Sequence, residues 1–288
     1  MNNAALNEKK IIWLASYPKS GNTWFRAFLA ALLNDEELDI NDLKTDGIFS
    51  SRTIFEKLTD FDSTHFYDEE IKILQPEIFN HLALLHQKER LFIKVHDAYS
   101  YNNAGLPIVP TETTKCAIYI IRNPLDMAGS LASHFGIAID RAIKMLNDPT
   151  TKLGNQYNLD SGEQFTQLMY DWSGHVKSWT SKLPFPVLII RYEDMLADGL
   201  NTFTKAVNFM DIDISTEKIA TAITGTEFHR LKQKEQANGF KETLAKNRVF
   251  FRKGQSGNWK NELNEQQMAD IVHKHNEIMK TFNYLNNT

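Results

Sequence analysis

Apolar and polar positions along the chain fall into two alternating patterns. Short continuous apolar runs, Ile11-Ile12-Trp13-Leu14, Leu91-Phe92-Ile93, Cys116 through Ile121 and Val187 through Ile190, read as buried strands. Between them apolar residues recur at helical spacing. One stripe is Trp24, Phe25, Phe28, Leu29, Leu32 and Leu33, and another is Ile71, Leu74, Ile78, Leu82 and Leu85. Pro76 interrupts the second stripe and predicts the start of a new helix there. Asn123 as cap and Pro124 as first helical residue predict a helix running towards Phe135. Further helices are predicted over Asp140 to Leu146, over Glu163 to Trp179 and around Met268 to Phe282. Residues 34 to 68 carry neither pattern, and Asn147 to Gly162 reads as a polar loop. Strands alternating with helices indicate an α/β chain.

The length of 288 residues suits one large α/β domain or two small ones. A hydrophobic content of 42% and a charged content of 24% are those of an ordinary globular protein. The net charge of −4 argues against sequence-independent binding of nucleic acid, so an anionic ligand must be held by a few placed cations. Cys116 is the only cysteine, which removes intramolecular disulfides and points to a reducing compartment. Its apolar neighbours assign it to the core. The first ten residues are polar, and no apolar stretch approaches the roughly 20 residues of a membrane span. The expectation is a cytoplasmic protein with no membrane or nucleic-acid partner. The acidic cluster Asp35-Glu36-Glu37 is expected to be a solvated helix end.

The candidate chemistry begins where the first strand meets the first helix. Tyr17-Pro18-Lys19-Ser20-Gly21-Asn22-Thr23-Trp24 forms a tight turn whose backbone N–H groups can face an anion at the positive end of the helix. Set against the nucleotide-binding pattern G-x-x-x-x-G-K-[ST], Gly21 and Thr23 fit, Ser16 replaces the first glycine and Asn22 replaces the lysine. The lysine stands instead at Lys19, inside the loop. That order weighs against an ATP-dependent kinase with magnesium, although the residues alone keep a kinase and a non-catalytic nucleotide binder open.

The same turn resembles the 5′-phosphosulfate loop of sulfotransferases that use 3′-phosphoadenosine 5′-phosphosulfate (PAPS). Further segments match in family order. Lys94-Val-His96, at a strand end, is similar to the Lys-x-His segment whose histidine is the acceptor base. Arg122-Asn-Pro-Leu-Asp-Met-Ala-Gly-Ser130 resembles the 3′-phosphate motif, and Phe251-Arg-Lys-Gly-Gln-Ser-Gly-Asn-Trp259 resembles the later Arg-Lys-Gly loop. Tyr192, and Thr226-Glu-Phe228, correspond to groups near adenine.

The resemblance implies a single P-loop-type α/β domain over residues 1–288, with a central parallel sheet flanked by helices. It implies sulfuryl transfer from PAPS to a hydroxyl, less readily an amine, of a small-molecule acceptor such as an alcohol or phenol. By the same resemblance His96, Lys19 and Ser130 are catalytic, Ser130 restraining Lys19 until acceptor arrives. The donor is bound by Lys19, Ser20, Gly21, Asn22, Thr23, Trp24, Arg122, Ser130, Tyr192, Thr226, Phe228, Arg252, Lys253 and Gly254. A sulfuryl group carries less charge than a γ-phosphoryl group, so no metal is demanded. The chain departs from the animal cytosolic pattern in three places. No tryptophan lies between Asn34 and Phe66 to stack on adenine, which leaves that place to a phenylalanine. The helix after Ser130 lacks paired tyrosines, and no dimer segment is recognisable after Trp259, so the oligomeric state is open. Phe61, Phe66, Tyr99 and Tyr101 are candidates for an apolar acceptor wall.

Overall fold

In the computed structural model, which describes residues 9–34, 37–43, 45–154, 164–243 and 249–285, the four apolar runs are the strands β1 (Ile11–Ser16), β3 (Leu91–Val95), β4 (Thr114–Ile121) and β7 (Val187–Arg191). A two-residue strand, β2 (Gly47–Ile48), joins them in a parallel sheet of order β2-β3-β1-β4-β7. β1 lies at the centre, with Ala15 beside Val95 of β3 and beside Tyr119 of β4. The chain leaves β1 for one half of the sheet and later crosses to the other. The loop following β1 therefore opens at the point where open α/β sheets bind ligands.

Successive residues of a strand face opposite sides, and both sides are apolar here. Trp13, Ala15, Ile93, Val95, Tyr119 and Ile121 belong to one buried layer, and Ile12, Leu14, Phe92, Ile118 and Ile120 to the other. The first layer is covered by residues of α3 (Asp68–Leu85), α4 (Pro124–Phe135), α5 (Ile139–Asn147), α6 (Trp172–Thr180) and α11 (Glu265–Thr281). The second is covered from α1 (Asn22–Leu33), α7 (Tyr192–Ala197), α8 (Gly199–Phe209) and α9 (Thr216–Gly225). Two helices, α2 (Arg52–Thr59) and α10 (Phe228–Asn238), and a small antiparallel pair, β5 (Lys152–Leu153) with β6 (Gln167–Leu168), complete the named elements. Cys116 is buried, as its neighbours require. No described helix is long and apolar enough to cross a membrane.

Two predicted elements differ, and one stretch without a predicted element holds two. Pro76 does not start a helix but lies inside a continuous α3. A proline leaves the carbonyl four residues earlier without its helical donor, and here the Lys72 carbonyl accepts from Asn102 Nδ2 at 3.2 Å. The predicted helix over Glu163 to Trp179 begins only at Trp172, where Asp171 caps it by accepting from Gly174 N–H. Gln164 bridges to Ser51 and Gln167–Leu168 is strand, so the helical spacing of Phe165, Leu168 and Met169 is coincidental. Residues 34–68 hold β2 and α2, with β2 anchored by the Asp46 carboxylate, which accepts from Phe92 N–H at 2.8 Å. Of the acidic cluster, residues 35 and 36 lie outside the described residues, as does the second half of the predicted polar loop, 155–162.

Candidate active site

The turn after β1 needs two residues in the left-handed region, Lys19 at φ 69° and Gly21 at φ 106°. At Gly21 a Cβ would stand 2.6 Å from the Tyr192 ring, so glycine is required both for conformation and for space. Gly21 caps α1, and Asn22 Nδ2 donates to the Leu14 carbonyl at 2.9 Å, tying the turn back to β1. Ser20 is buried with its hydroxyl against Met127 of α4, which leaves only its backbone to face a ligand. Lys19 Nζ lies 3.5 Å from the centre of the Phe250 ring. Burial, reinforced by the nearby Arg122 charge, pulls the Lys19 ammonium down to about 7.

A cavity of about 930 Å³ opens over this turn. Of the residues assigned from sequence, Lys19, Gly21, Asn22, Thr23, Trp24, His96, Arg122, Ser130, Tyr192, Phe228, Arg252, Lys253 and Gly254 line it. Ser20 and Thr226 do not: Thr226 is fully buried, its hydroxyl donating to the Ala222 and Ile223 carbonyls of α9. None of Phe61, Phe66, Tyr99 and Tyr101 lines the cavity, and neither do Phe49 and Phe55, which are core. Phe61 and Tyr101 are exposed, Tyr99 is buried against Trp179 and Phe185, and Phe66 packs on Phe55. Aromatic surface comes instead from Trp24, Tyr192 and Phe228, on the β7 side, and from Phe135, Phe250 and Phe251.

His96 follows the carboxyl end of β3, across β1 from β4. Its Nδ1–H donates to the Ser16 carbonyl at 2.7 Å, which fixes the ring and leaves Nε2 as the available base. Burial, then the Lys94 charge, hold its pKa well below the ordinary histidine value, so the ring is neutral at physiological pH. The His96 carbonyl accepts from Nε2 of the buried His175 at 2.9 Å, and His175 Nδ1 accepts from the Tyr119 hydroxyl at 2.9 Å. The histidine is thus held both by its ring and by its backbone. Asp97 turns away from the cavity: its Oδ1 accepts from Leu168 N–H at 3.3 Å, and burial raises its carboxyl to about 7.

Arg122 spans two loops, donating from Nη1 to the Lys19 carbonyl and from Nη2 to the Gln255 carbonyl, each at 3.1 Å, with its guanidinium 4.3 Å from the Tyr192 ring centre. Asp126, four residues after Arg122, does not pair with it. It accepts from the N–H groups of Gly257 at 2.8 Å and Trp259 at 3.2 Å and from the Ser256 hydroxyl at 3.2 Å, docking the late loop onto α4. Gly254, at φ 62°, lies where a Cβ would stand 2.1 Å from the Phe228 ring. Arg252 and Lys253 both pair with Glu262, at 2.7 and 2.5 Å. No described hydrogen bond joins Ser130 to Lys19, although both line the cavity.

Arg26, His134 and Glu242 belong to no recognisable segment of the sequence. His134 lines the cavity from the last turn of α4, with burial lowering its pKa to about 3. Glu242 accepts from Arg26 at 2.5 Å and from Lys94 at 3.3 Å. No motif marks Arg26 and Glu242, because partners 216 and 148 residues apart leave no local spacing to read.

The model of the sulfotransferase domain matches residues 9–283. The chain belongs to the sulfotransferase family. Among curated relatives, this sulfotransferase is 28% identical over 264 residues to sulfotransferase 1 family member D1 of Rattus norvegicus, covering 88% of this chain and 77% of the relative. It is 26% identical over 270 residues to luciferin sulfotransferase of Photinus pyralis, covering 88% and 68%. Among solved structures, retinol dehydratase in complex with androsterone and the inactive cofactor PAP superposes with a TM-score of 0.61 at 19% identity, covering 96% of this chain and 83% of that one. Mouse sulfotransferase SULT7A1 complexed with PAP gives 0.59 at 21%, covering 94% and 84%. These likenesses show that the sulfotransferase has the fold of those proteins.

Proposed function

We propose that the sulfotransferase moves a sulfuryl group from PAPS to the hydroxyl, less readily the amine, of a small-molecule alcohol or phenol. The observation that carries this reading is a neutral His96, locked through Nδ1, facing the same cavity as the cations Lys19, Lys94 and Arg122. Relatives bearing the activity, and structural neighbours solved with PAP, the product PAPS leaves, support the donor.

The donor's 5′-phosphosulfate fits the turn of Lys19 through Trp24, where backbone N–H groups and the amino end of α1 favour an anion. Arg122, Ser130, Arg252, Lys253 and Gly254 form the 3′-phosphate end, with Glu262 yielding its two cations to the phosphate. Tyr192, Trp24 and Phe228 take the purine, and the hydroxyl of Thr226, engaged within α9, acts there only by fixing the Phe228 segment. The remaining space beside His96 belongs to the acceptor.

In the reaction His96 Nε2 accepts the hydroxyl proton as the acceptor oxygen attacks sulfur. The new O–S bond forms opposite the bridging S–O bond, whose electron pair leaves with the 5′-phosphate. Lys19 neutralises the charge growing on that bridging oxygen. Replacing His96 by Ala lowers turnover by about 10²- to 10⁴-fold, the usual worth of a general base, while affinity for adenosine 3′,5′-bisphosphate is retained. Unchanged turnover in that variant removes the assigned base.

A further inference from the structure

Glu242 sits in a cavity built to hold an anion, where a carboxylate repels the ligand. Its geometry shows what it does instead. Arg26 of α1 is only 3% exposed and donates from Nη2 to Glu242 Oε1 at 2.5 Å and to the Thr23 hydroxyl at 3.2 Å. Glu242 Oε2 receives Lys94 Nζ at 3.3 Å and the Thr23 hydroxyl at 3.5 Å. Helix α1, strand β3 and the segment after α10 therefore meet at one carboxylate, beside the residue that precedes His96 by two.

We propose that Glu242 is a positioning residue of the transfer site, holding Lys94 charged and fixed beside His96 so that its ammonium can face the transferred group. The proposal rests on the donor reading above. Without Glu242, the ammonium of Lys94 would lie next to the buried Arg26 guanidinium with nothing to neutralise either. Burial, then Arg26, already bring Lys94 down to about 8, and Glu242 is the group opposing that shift. Burial pushes the Glu242 carboxyl up, but Arg26 and Lys94 outweigh it and hold it at about 2, so it stays ionised wherever the fold persists.

The charged and titratable groups around this point are Arg26 on α1, Lys94 and His96 at the end of β3, Lys19 in the turn, His134 on α4 and Glu235 on α10. Glu235 is engaged by the N–H groups of Phe250 and Phe251, at 2.5 and 2.9 Å. His134 is neutral above acid pH. Glu242 is therefore the carboxylate in direct contact with Lys94.

The test uses the full chain labelled with 13Cε-lysine, with the Lys94 resonance assigned through Lys94→Arg, together with turnover profiles against pH. In Glu242→Gln the Lys94 midpoint falls by about one pH unit or more, a shift typical of losing an adjacent opposite charge. The alkaline loss of turnover moves to lower pH with it, by about fivefold in rate at pH 8 as the charged fraction of Lys94 drops, and the difference narrows as pH falls. Affinity for adenosine 3′,5′-bisphosphate is kept or tightened, because a carboxylate has been removed. Glu242→Asp, which keeps the charge on a shorter arm, gives intermediate values and covers the case in which Gln disturbs folding. An unchanged Lys94 midpoint, or a turnover loss equal at every pH, overturns the proposal. Failure of the wild-type protein to bind the bisphosphate would instead defeat the donor reading, and the lysine titration, needing no ligand, decides the role of Glu242 separately.

Discussion

Lys19 combines a left-handed backbone, at φ 69°, with a buried ammonium resting on the Phe250 ring. A non-glycine residue in that region persists only where its surroundings hold it, here by the Arg122 bond to its carbonyl and the packing of its side chain. Burial and Arg122 bring its ammonium to about 7, so Lys19 is charged below that pH and neutral above it. An anion bound beside it is favoured in the charged state. The affinity for adenosine 3′,5′-bisphosphate should accordingly fall as pH rises from about 6 to 9, and Lys19→Met should flatten the part of that fall around neutrality. An affinity constant across this range in the wild-type protein would contradict the assignment. That Lys19 and His96 line one cavity could be anticipated from sequence because their neighbours form local patterns. Glu242 and Arg26 could not, because their meaning lies in a contact made only after folding.

Helix α3 shows how an element escapes its local signal. Pro76 is a sound reason to end a helix, yet the Lys72 carbonyl it leaves without a donor is satisfied by Asn102, from a loop after β3. Removing that donor with Asn102→Ala leaves a carbonyl without its partner and also frees the turn that the Asn102 carboxamide caps at Ala104 and Leu106. The expected loss is about 1–3 kcal/mol, measured as a lower urea midpoint with an unchanged slope, whereas the exposed Asn103→Ala changes little. Equal midpoints for the two variants would show that Asn102 does not sustain α3. The segment from Gln164 to Tyr170 is the converse case, a helical spacing without a helix. Its hydrogen bonds go to Ser50 and Ala98 rather than along its own axis. Strands β1, β3 and β4 are legible because they are buried, β7 because its run Val187 through Ile190 is continuously apolar although only Ile190 is buried, and α4 because Asn123 caps it.

Across the whole molecule the sheet order brings the turn after β1, the end of β3 and the junction of β4 with α4 to one edge, and the loop from Arg252 to Trp259 closes over them through Asp126. The sequence displays these four segments in order but not that they converge, since convergence depends on a strand order no local pattern encodes. The residues that join the segments, Arg122 bridging two loops and Asp126 docking the last, become visible only in three dimensions. This convergence gathers the cations and His96 around one cavity of about 930 Å³, in which the proposed reading seats a donor with a charged group at each end and an acceptor beside His96. Calorimetric titration of the purified protein with adenosine 3′,5′-bisphosphate, with ATP and magnesium as the control, tests it most directly. The account predicts micromolar binding of the bisphosphate, of order −8 kcal/mol, and no comparable binding of ATP. Binding of ATP with magnesium and none of the bisphosphate would contradict it.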